Sequence, residues 1–579
     1  MIPSLFHLLM SRGCLVCGMT LAVGILEADA AVNPISQSAF LKSSNRDAGD
    51  AFGAAVAISG DLLAVSSVSE ASKASGVNGD QSDNTLPAAG AVYVFVRENG
   101  EWHQDAYIKA INPGINDHFG SSVALSGDTL VVGAPQEDSY PDGKPDPINN
   151  DNAADSGAAY VYVRSGGVWS FQAMLKAGNG ARLSLDFGCA VAIDGDTIVV
   201  GARQERNTGV GINPPYQTSY GNLNGAAYVF RRSGTVWNEV AYIKPPYLIT
   251  LDGSYMFGER VGVAGKNIFV NAVRDASAAR GINGDMTQDP AKFVSGAVFA
   301  YRLDAGGLVF DAYIKSSNSD PGDAFGYDLA ASGETLVVSS IKDDSDATGL
   351  NGNQGNSTTK TDSGAVYIFD RGAGGWTQTA YLKAPVTAPS DNFGKALALH
   401  NDTLAISSSS KAVGPEGSKN YPGTVYLYKR QGGTWEFYNI AKPAKVGVAE
   451  AYGQDVAVSS DALLVSASGD DNGGTGVNNP SNTKVSESGA AYVFTGFAGQ
   501  VAMPVLIQSV EMHPQQLVID FTAGVGLSTW KLFGGTSVDS LTQNLSGSAQ
   551  LTEPTPGHYH VVVPLASPLP SSYFIKIVP

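Results

Sequence analysis

Acidic side chains gather in the long polar segments of this chain, where they are of a type that could bind a metal ion. Carboxylates in three of these segments are Asp138, Asp343, Asp344, Asp470 and Asp471. Calcium takes six to eight oxygen ligands without strict geometry, so flexible segments rich in carboxylates suit it. The competing interpretation is that these are solvated loop residues that keep the protein soluble. At the level of sequence both interpretations stay open.

A second candidate source of oxygen ligands is a short element of glycine, one apolar residue and asparagine that recurs along the chain. Its two full copies, residues 76–80 and 281–285, contain Asn78, Asp80, Asn283 and Asp285, and Asp83 follows as a later ligand. Shorter copies contain Asn213, Asn351 and Asn478. Asn-Gly is also a turn former in its own right, so a purely structural loop explains the repetition equally well.

No arrangement of residues typical of an enzyme is found. The histidines are scattered, and no His-x-Glu, His-Glu-x-x-His or Gly-x-Ser-x-Gly spacing occurs. One Cys-x-x-Cys spacing, Cys14 to Cys17, lies within the first 30 residues. The sequence therefore predicts a protein without catalytic activity. One enzymatic alternative is a polysaccharide hydrolase or lyase, for which carboxylates such as Asp138 or Asp344 would have to converge within about 5–10 Å.

Composition and the N-terminus indicate the compartment and exclude some partners. The 54 Asp and Glu residues outnumber the 36 Lys and Arg residues, giving a net charge of −18 that repels nucleic acid. Arg12, the apolar residues 15–26 and the small residues around Ala28 and Ala30 are typical of a signal peptide over residues 1–30. We predict a secreted or cell-surface protein without a transmembrane segment. Of three cysteines only Cys189 lies outside this leader, so neither disulfides nor thiol chemistry is indicated.

The elements that must position these residues come from an internal repeat. A Phe-Gly pair, changed to Tyr-Gly in the last copy, begins at Phe52, Phe119, Phe187, Phe257, Phe325, Phe393 and Tyr452. A Gly-Ala-Val-Tyr marker and its variants begins at Gly90, Gly157, Gly225, Gly296, Gly364, Gly423 and Gly489. Seven copies at a nearly constant spacing predict a repeat architecture.

Each repeat contains four segments with the pattern of short strands joined by turns. In the first repeat these are residues 54–59, 62–67, 91–97 and 102–109. Four antiparallel strands make one propeller blade, so the sequence predicts an all-β, seven-bladed propeller. The last repeat lacks its fourth strand. A matching segment, Ala39-Phe40-Leu41-Lys42, occurs at the N-terminus, and we predict that it completes the seventh blade and closes the ring.

These repeats resemble the FG-GAP repeats of integrin α-subunits and of secreted bacterial proteins. The resemblance rests on Phe-Gly, on Leu-Val-Val-Gly-Ala-Pro at residues 130–135 and on Gly-Ala-Ala-Tyr-Val-Tyr at residues 157–162, and it covers residues 39–497. In that family a calcium loop connects the first two strands of a blade. Here this connection is only a Ser-Gly-Asp turn, so any calcium would have to bind elsewhere.

We predict three parts: a signal peptide at residues 1–30, the propeller at residues 31–497 and a β-sandwich-like module at residues 503–579. The connections between second and third strands are long and the other turns are short, so one face of the propeller is the candidate binding face. The resulting hypothesis is a monomeric extracellular binding or adhesion protein for a protein or glycan, assisted by calcium. Besides the enzyme described above, a second alternative to this hypothesis is a structural surface or matrix component.

Two further residue sets have structural explanations. Acids near each Phe-Gly could line the binding face, but we expect them to accept backbone N–H bonds and so cap the loop: Asp50, Asp117, Asp186, Asp323 and Asp391. One tryptophan per repeat is expected to pack within the blade: Trp102, Trp169, Trp237, Trp376 and Trp435.

Overall fold

The computed structural model describes residues 35–139, 153–178, 185–215, 223–247, 255–408, 423–443, 449–481 and 483–497, together with eight strands nearer the two ends of the chain. Seven four-stranded antiparallel sheets occur between residues 35 and 497. Their first strands contact one another in a closed ring, so the sheets are the blades of a β-propeller. The predicted all-β, seven-bladed fold is confirmed.

In blades 1 to 6 the strands pair in chain order, from the first strand at the ring axis to the fourth at the rim, and in blade 7 the N-terminal strand takes the fourth place. Blades 1 to 3 contain Phe52–Ser59, Leu62–Ser67, Ala91–Glu98 and Glu101–Ile108; Ser122–Ser126, Thr129–Ala134, Ala158–Ser165 and Val168–Leu175; and Phe187–Asp194, Thr197–Ala202, Ala226–Ser233 and Val236–Ile243. Blades 4 and 5 contain Val261–Ala264, Asn267–Ala272, Ala297–Asp304 and Gly307–Ile314; and Phe325–Ser332, Thr335–Ser340, Ala365–Gly372 and Gly375–Leu382. Blades 6 and 7 contain Leu397–His400, Thr403–Ser408, Thr424–Gln431 and Thr434–Ala441; and Ala449–Val458, Ala462–Asp470, Ala490–Thr495 and Gln37–Leu41.

The second strand of a blade is the most deeply buried. All six residues of Leu62–Ser67 are buried, as are those of Thr129–Ala134, because neighbouring blades cover both faces of the sheet. In the first blade the first strand already begins at Phe52, which pairs with Ser67, and the fourth strand ends before Lys109. The lysine therefore belongs to the connection that follows the sheet. The five repeated tryptophans are buried, which confirms their predicted role in blade packing.

The two sequence markers of the repeat meet where one blade contacts the next. Gly90 ends the long connection of blade 1 and lies against Phe119 of blade 2, with a φ of +81°. A Cβ atom on Gly90 would be 2.0 Å from the carbonyl oxygen of Phe119, so only glycine fits there. Gly157 and Phe187 form the same contact as a parallel bridge between blades 2 and 3. The Phe-Gly and Gly-Ala markers therefore recur together because they touch.

Ring closure occurs as predicted from the N-terminal segment. Gln37–Leu41 pairs antiparallel with Ala490–Thr495 and becomes the fourth strand of blade 7. Phe40 is buried in this blade and packs against Tyr492, with ring centroids 5.4 Å apart. The strand joins residues that are more than 450 positions apart in the sequence.

Two further four-stranded sheets involve the ends of the chain. One contains Leu506–His513, Gln516–Thr522, His558–Pro564 and Gln550–Thr555, and the other contains Phe6–Leu9, Ser572–Val578, Lys531–Gly535 and Gln543–Asn544. Apart from Phe6–Leu9, the predicted signal peptide lies outside the described residues, as does its cleavage box at residues 28–30. Within the described part of the chain no helix is long and apolar enough to cross a membrane.

Candidate binding face

The long connections between second and third strands and the connections between blades lie on one side of the ring, which we call the loop face. Beneath it a lysine that follows the fourth strand forms a buried ion pair with an acid that follows the second strand. Lys109 and Glu70 illustrate the pair, with Nζ and Oε2 2.6 Å apart and both side chains almost fully buried. The six pairs are Lys42–Asp470, Lys109–Glu70, Lys176–Glu137, Lys244–Glu205, Lys315–Asp275 and Lys383–Asp343.

Two predicted metal ligands, Asp343 and Asp470, are the acids of these pairs. Asp343 lies 2.9 Å from the Lys383 amine and accepts further hydrogen bonds from Ser345 and Asn318. Burial alone would raise the pKa of Asp343, but the charge of Lys383 and these hydrogen bonds hold it below its usual value. Both carboxylates thus fasten the base of a loop to the blade beneath it.

Three other predicted ligands hold the ends of their loops together. Asp138 accepts a hydrogen bond of 2.8 Å from the backbone N–H of Asp155, and Asp344 accepts one of 2.8 Å from Asp362. Asp471 accepts an equivalent bond of 2.9 Å from Glu487. The three donor residues have positive φ angles of 50–54°. The carboxylate therefore stabilises a backbone conformation that residues other than glycine rarely adopt.

The recurring asparagine also has a backbone partner. The side-chain oxygen of Asn78 accepts from the N–H of Tyr107, while the Asn78 N–H donates to the Tyr107 carbonyl oxygen at 2.7 Å. Asn283 makes the same two bonds with Tyr313. Both asparagines have a φ near +55°, which asparagine tolerates better than most residues. Where it occurs, the repeated element therefore joins the long loop to the fourth strand of its own blade.

Asp80, Asp83 and Asp285 lie at the loop tips, where each closes a short turn. Asp80 accepts bonds from the backbone and hydroxyl groups of Ser82, which lower its pKa, and Asp285 does the same with Thr287. Asp83 pairs with Lys73 at 2.9 Å. Among the residues that the structure describes, no group of three or more His, Cys, Asp and Glu side chains is placed to hold a metal ion. Calcium at these loops stays a prediction.

The acids next to Phe-Gly divide into two kinds. Asp50, Asp117, Asp323 and Asp391 stand two residues before the phenylalanine and accept the backbone N–H of the residue three positions earlier, at 2.7–2.9 Å. The predicted capping role is confirmed for these four. Asp186 directly precedes its phenylalanine and instead accepts from the side chains of Arg203 and Gln204. The one-residue shift explains the different partners.

At the centre of the loop face the first strands bring together polar side chains that the sequence analysis did not single out. They occupy the two positions that directly follow Phe-Gly, or Tyr-Gly, in blades 4 to 7. We call them the axial cluster: Glu259, Arg260, Tyr327, Asp328, Lys395 and Asp455. Among the four blades only the glycine before these positions is constant, so no repeating residue type marked the cluster.

The axial cluster is linked from blade to blade. Nε of Arg260 lies 3.5 Å from Oδ1 of Asp328, and the Lys395 amine lies 4.9 Å from the centroid of the Tyr327 ring and bonds to its hydroxyl. Asp455 accepts the backbone N–H of Val56 at 2.8 Å, which ties blade 7 to blade 1. Asp455 also interacts electrostatically with Arg260 and Asp328, so the three side chains lie near one another around the axis.

Comparison with protein families gives a match to the FG-GAP repeat over residues 35–95, 102–162, 169–230 and 376–428. The matched segments lie within or between the blades described above, and they include the Phe-Gly and Gly-Ala contacts. The chain is an FG-GAP β-propeller. Comparison with curated proteins gave no match.

One solved structure similar to the FG-GAP propeller is described as a single-substitution variant of S. cerevisiae Dbp5 bound to Nup159, a single-substitution variant of Gle1, IP6 and ADP. The identity is 10%, the match covers 62% of this chain and 90% of that chain, and the TM-score is 0.22.

The loop face of the FG-GAP propeller also exposes apolar side chains. Those at least one-third exposed on its connections are Ile115, Val210, Phe293, Leu350 and Val386. Phe293 ends a 3-10 turn, Pro290–Lys292, whose first residue is capped by Asp289. The next residue, Val294, has a φ of 60°, which is unfavourable for a β-branched side chain. Asp155, Asp362 and Glu487 occupy the equivalent position in blades 2, 5 and 7 and have the same conformation, so this positive φ belongs to the base of the loop.

Proposed function

We propose that this FG-GAP propeller is a secreted or cell-surface binding protein that recognises a protein or glycan through its loop face. The observation that carries the proposal is the blade 4 loop, where the half-exposed phenylalanine Phe293 follows a 3-10 turn capped by Asp289. The next residue, Val294, has the backbone conformation that Asp155, Asp362 and Glu487 adopt at the bases of their loops, so Phe293 stands on a part of the loop that the fold fixes. Exposed aromatic side chains on a rigid support are typical anchors of binding sites.

The buried ion pairs beneath the loop face support the same proposal. In six blades such a pair fastens the long loop at its base, so the base is a fixed frame that does not have to be ordered at the moment of binding. A pre-organised surface loses less entropy on association and binds more tightly for the same contacts. The loop tips can therefore differ between blades while their bases stay alike.

A substitution series tests this proposal. Phe293→Ser and Leu350→Ser change the loop face, whereas Val236→Ser and Val309→Ser change equally exposed apolar residues on fourth strands at the rim. Purified protein would be tested against immobilised polysaccharides and extracellular proteins. We expect the loop-face variants to lose about tenfold or more in affinity and the rim variants to bind like the wild type. Equal loss in both sets would contradict a loop-face site.

Secretion is tested on the same protein. Export from the producing cell should be accompanied by cleavage after Ala30, so that the mature chain begins at residue 31. N-terminal sequencing or intact mass decides this. A chain that keeps its first residues and stays in the cytoplasm would contradict the proposed location.

The calcium part of the proposal rests on the acidic loop tips. Titration of calcium into chelator-treated protein, with the melting temperature followed in parallel, should give saturable heat and a higher melting temperature. Asp80→Asn and Asp83→Asn would then reduce both effects, whereas Asp138→Asn tests a carboxylate that the loop base uses itself. Absence of heat and of a melting shift would mean that the loop face works without calcium.

A second candidate function, cleavage of a polysaccharide, is favoured by one observation in the axial cluster. Burial raises the pKa of Asp328, and it raises the pKa of Asp455 to about 6. Carboxyl groups of raised pKa are suited to donate protons in sugar chemistry. New reducing ends or unsaturated products that disappear in Asp455→Asn would favour this function, whereas binding without product would favour recognition alone.

A further inference from the structure

We propose that the loop-face mouth of the central channel binds a sugar acid, with Arg260 and Lys395 taking its carboxylate and Asp328 and Asp455 accepting its hydroxyl groups. The inference rests on the proposed binding function, for which it names a ligand class and a second, smaller site. It concerns the axial cluster and not the tips of the long loops.

The charges of the axial cluster are arranged to receive an anion. Arg260 keeps 43% of its side chain accessible although the inner strands enclose it, so a ligand can reach it from solvent. Its only carboxylate contact of less than 4 Å in the described structure is with Asp328, at 3.5 Å. That distance is longer than a close guanidinium–carboxylate hydrogen bond, and N–H donors of Arg260 stay available for a ligand. Lys395 supplies a second cation on the far side of blade 5.

Side-chain size also differs around the channel. The positions that carry the axial cluster in blades 4 to 7 hold only small side chains in blades 1 to 3. These are Ala54, Ala55, Ser121, Ser122, Cys189 and Ala190. Because both sets occupy equivalent positions of a closed ring, the long charged and aromatic side chains lie on one side of the channel mouth and only small side chains lie on the other.

The mixture of groups selects among ligands. A neutral sugar would leave Arg260 and Lys395 without an anion. Asp328 and Asp455 already accept the backbone N–H groups of Leu397 and Val56, at 2.8 Å each, and a carboxylate has further lone pairs that can accept hydroxyl groups. A carboxylate from an acidic peptide side chain would pair with the cations but would offer no hydroxyl donor to these aspartates, whereas a sugar acid has both the anion and several hydroxyl donors. Burial raises the pKa of both aspartates although Arg260 and these N–H groups oppose the rise.

Calorimetric titration of the mature protein with D-glucuronate tests the proposal, with D-glucose and L-glutamate as reference compounds. We expect saturable binding of glucuronate and at least tenfold weaker binding of the other two. Lys395→Gln should weaken glucuronate binding about tenfold or more, because it removes a charge-assisted contact. Lys429→Gln is the matched control, since Lys429 also lies over a tyrosine ring, that of Tyr438 at 4.5 Å, but outside the axial cluster.

Three results would overturn the proposal: no saturable heat up to about 10 mM glucuronate, equal binding of glucose or glutamate, or equal affinities of the wild type and Lys395→Gln. Arg260→Gln serves as a second variant, accepted only if its melting temperature shows a folded protein. Failure of the glucuronate titration is distinguishable from failure of the loop-face proposal. The loop-face proposal is tested with variants of Phe293 and Leu350 and with macromolecular ligands. A wild type that binds glucuronate while Phe293→Ser keeps full macromolecular binding would support the axial site alone.

Discussion

Asp323 shows what happens to a carboxyl group that the closed ring covers. It is 4% exposed and accepts one backbone N–H bond, from Asp320. Burial raises its pKa to about 8, and the hydrogen bond from Asp320 only partly opposes this. Asp50, its equivalent in the first blade connection, has its pKa raised to about 6 for the same reason. These caps hold a proton at pH values where an exposed aspartate has lost it.

The pH dependence of stability follows from this shift. The pKa of Asp323 is raised on folding, so between about pH 4 and pH 8 this carboxyl group binds more protons in the folded protein than in the unfolded chain. The contribution of Asp323 to stability therefore decreases as the pH rises through this window. Asp323→Asn keeps the acceptor oxygen without the charge, and we expect it to be more stable than the wild type by on the order of 2 kcal/mol at pH 8, with little difference at pH 4.

Melting temperatures measured from pH 4 to pH 9 check this prediction. Asp289→Asn is the control, because Asp289 also accepts a backbone N–H but lies in a partly exposed turn. If Asp323→Asn follows the wild-type pH profile in parallel, Asp323 is not the group that titrates.

At the scale of elements, the outer edge of each blade has a common irregularity. The pairing of third and fourth strands shifts register once in every blade, for example between Val94 and Phe95 and between Ile368 and Phe369. The same shift recurs in the blade closed by the N-terminal strand, between Gln37 and Ala39. A bulge twists an edge strand and makes it a poor template for pairing with another chain. The rim is protected although several of its side chains are apolar.

The contact between blades gives a sharper prediction. Gly90→Ala would place a methyl group 2.0 Å from a backbone oxygen of the next blade, in addition to requiring a positive φ. Gly100→Ala requires a similar positive φ but meets no atom within 4 Å. We expect Gly100→Ala to cost about 1–2 kcal/mol of unfolding free energy and Gly90→Ala clearly more. Denaturant titration of both variants separates backbone strain from the blade contact, and equal losses would contradict the role given to that contact.

Particular elements show how far sequence reasoning reached. The likeness of Ala39-Phe40-Leu41-Lys42 to the fourth strand that the last repeat lacks was enough to predict ring closure, because the segment is a local mark of the repeat. The role of Asp343 was not predictable in the same way, since its lysine partner stands 40 residues later and its asparagine partner belongs to the preceding blade connection. The axial cluster was missed because its residue types differ between blades, and only the closed ring brings Arg260 and Asp455 together.

At the scale of the whole molecule, blade 7 depends on both ends of the propeller. Lys42 adds a buried ion pair with Asp470 to the strand pairing of Gln37–Leu41. Lys42→Met leaves Asp470 buried without its cation, and removing one member of a buried pair typically costs about 3–5 kcal/mol. We expect a lower melting temperature and early proteolysis within blade 7, measured by limited digestion and mass spectrometry. Lys292→Met, which changes a partly exposed lysine of the 3-10 turn, should behave like the wild type.

The N-terminal closing strand also sets the order in which the molecule can be completed during synthesis. Gln37–Leu41 leaves the ribosome before any blade exists, yet its partner Ala490–Thr495 is made after all the other strands of the propeller. For most of synthesis this strand is an unpaired apolar segment, and the first six blades must assemble as an open arc. Closing so long a chain costs little more entropy than closing one half its length, because the cost grows only with the logarithm of length. The risk therefore lies in the long time for which this strand has no partner. A chaperone that covers residues 37–41 would act earliest and longest on this protein.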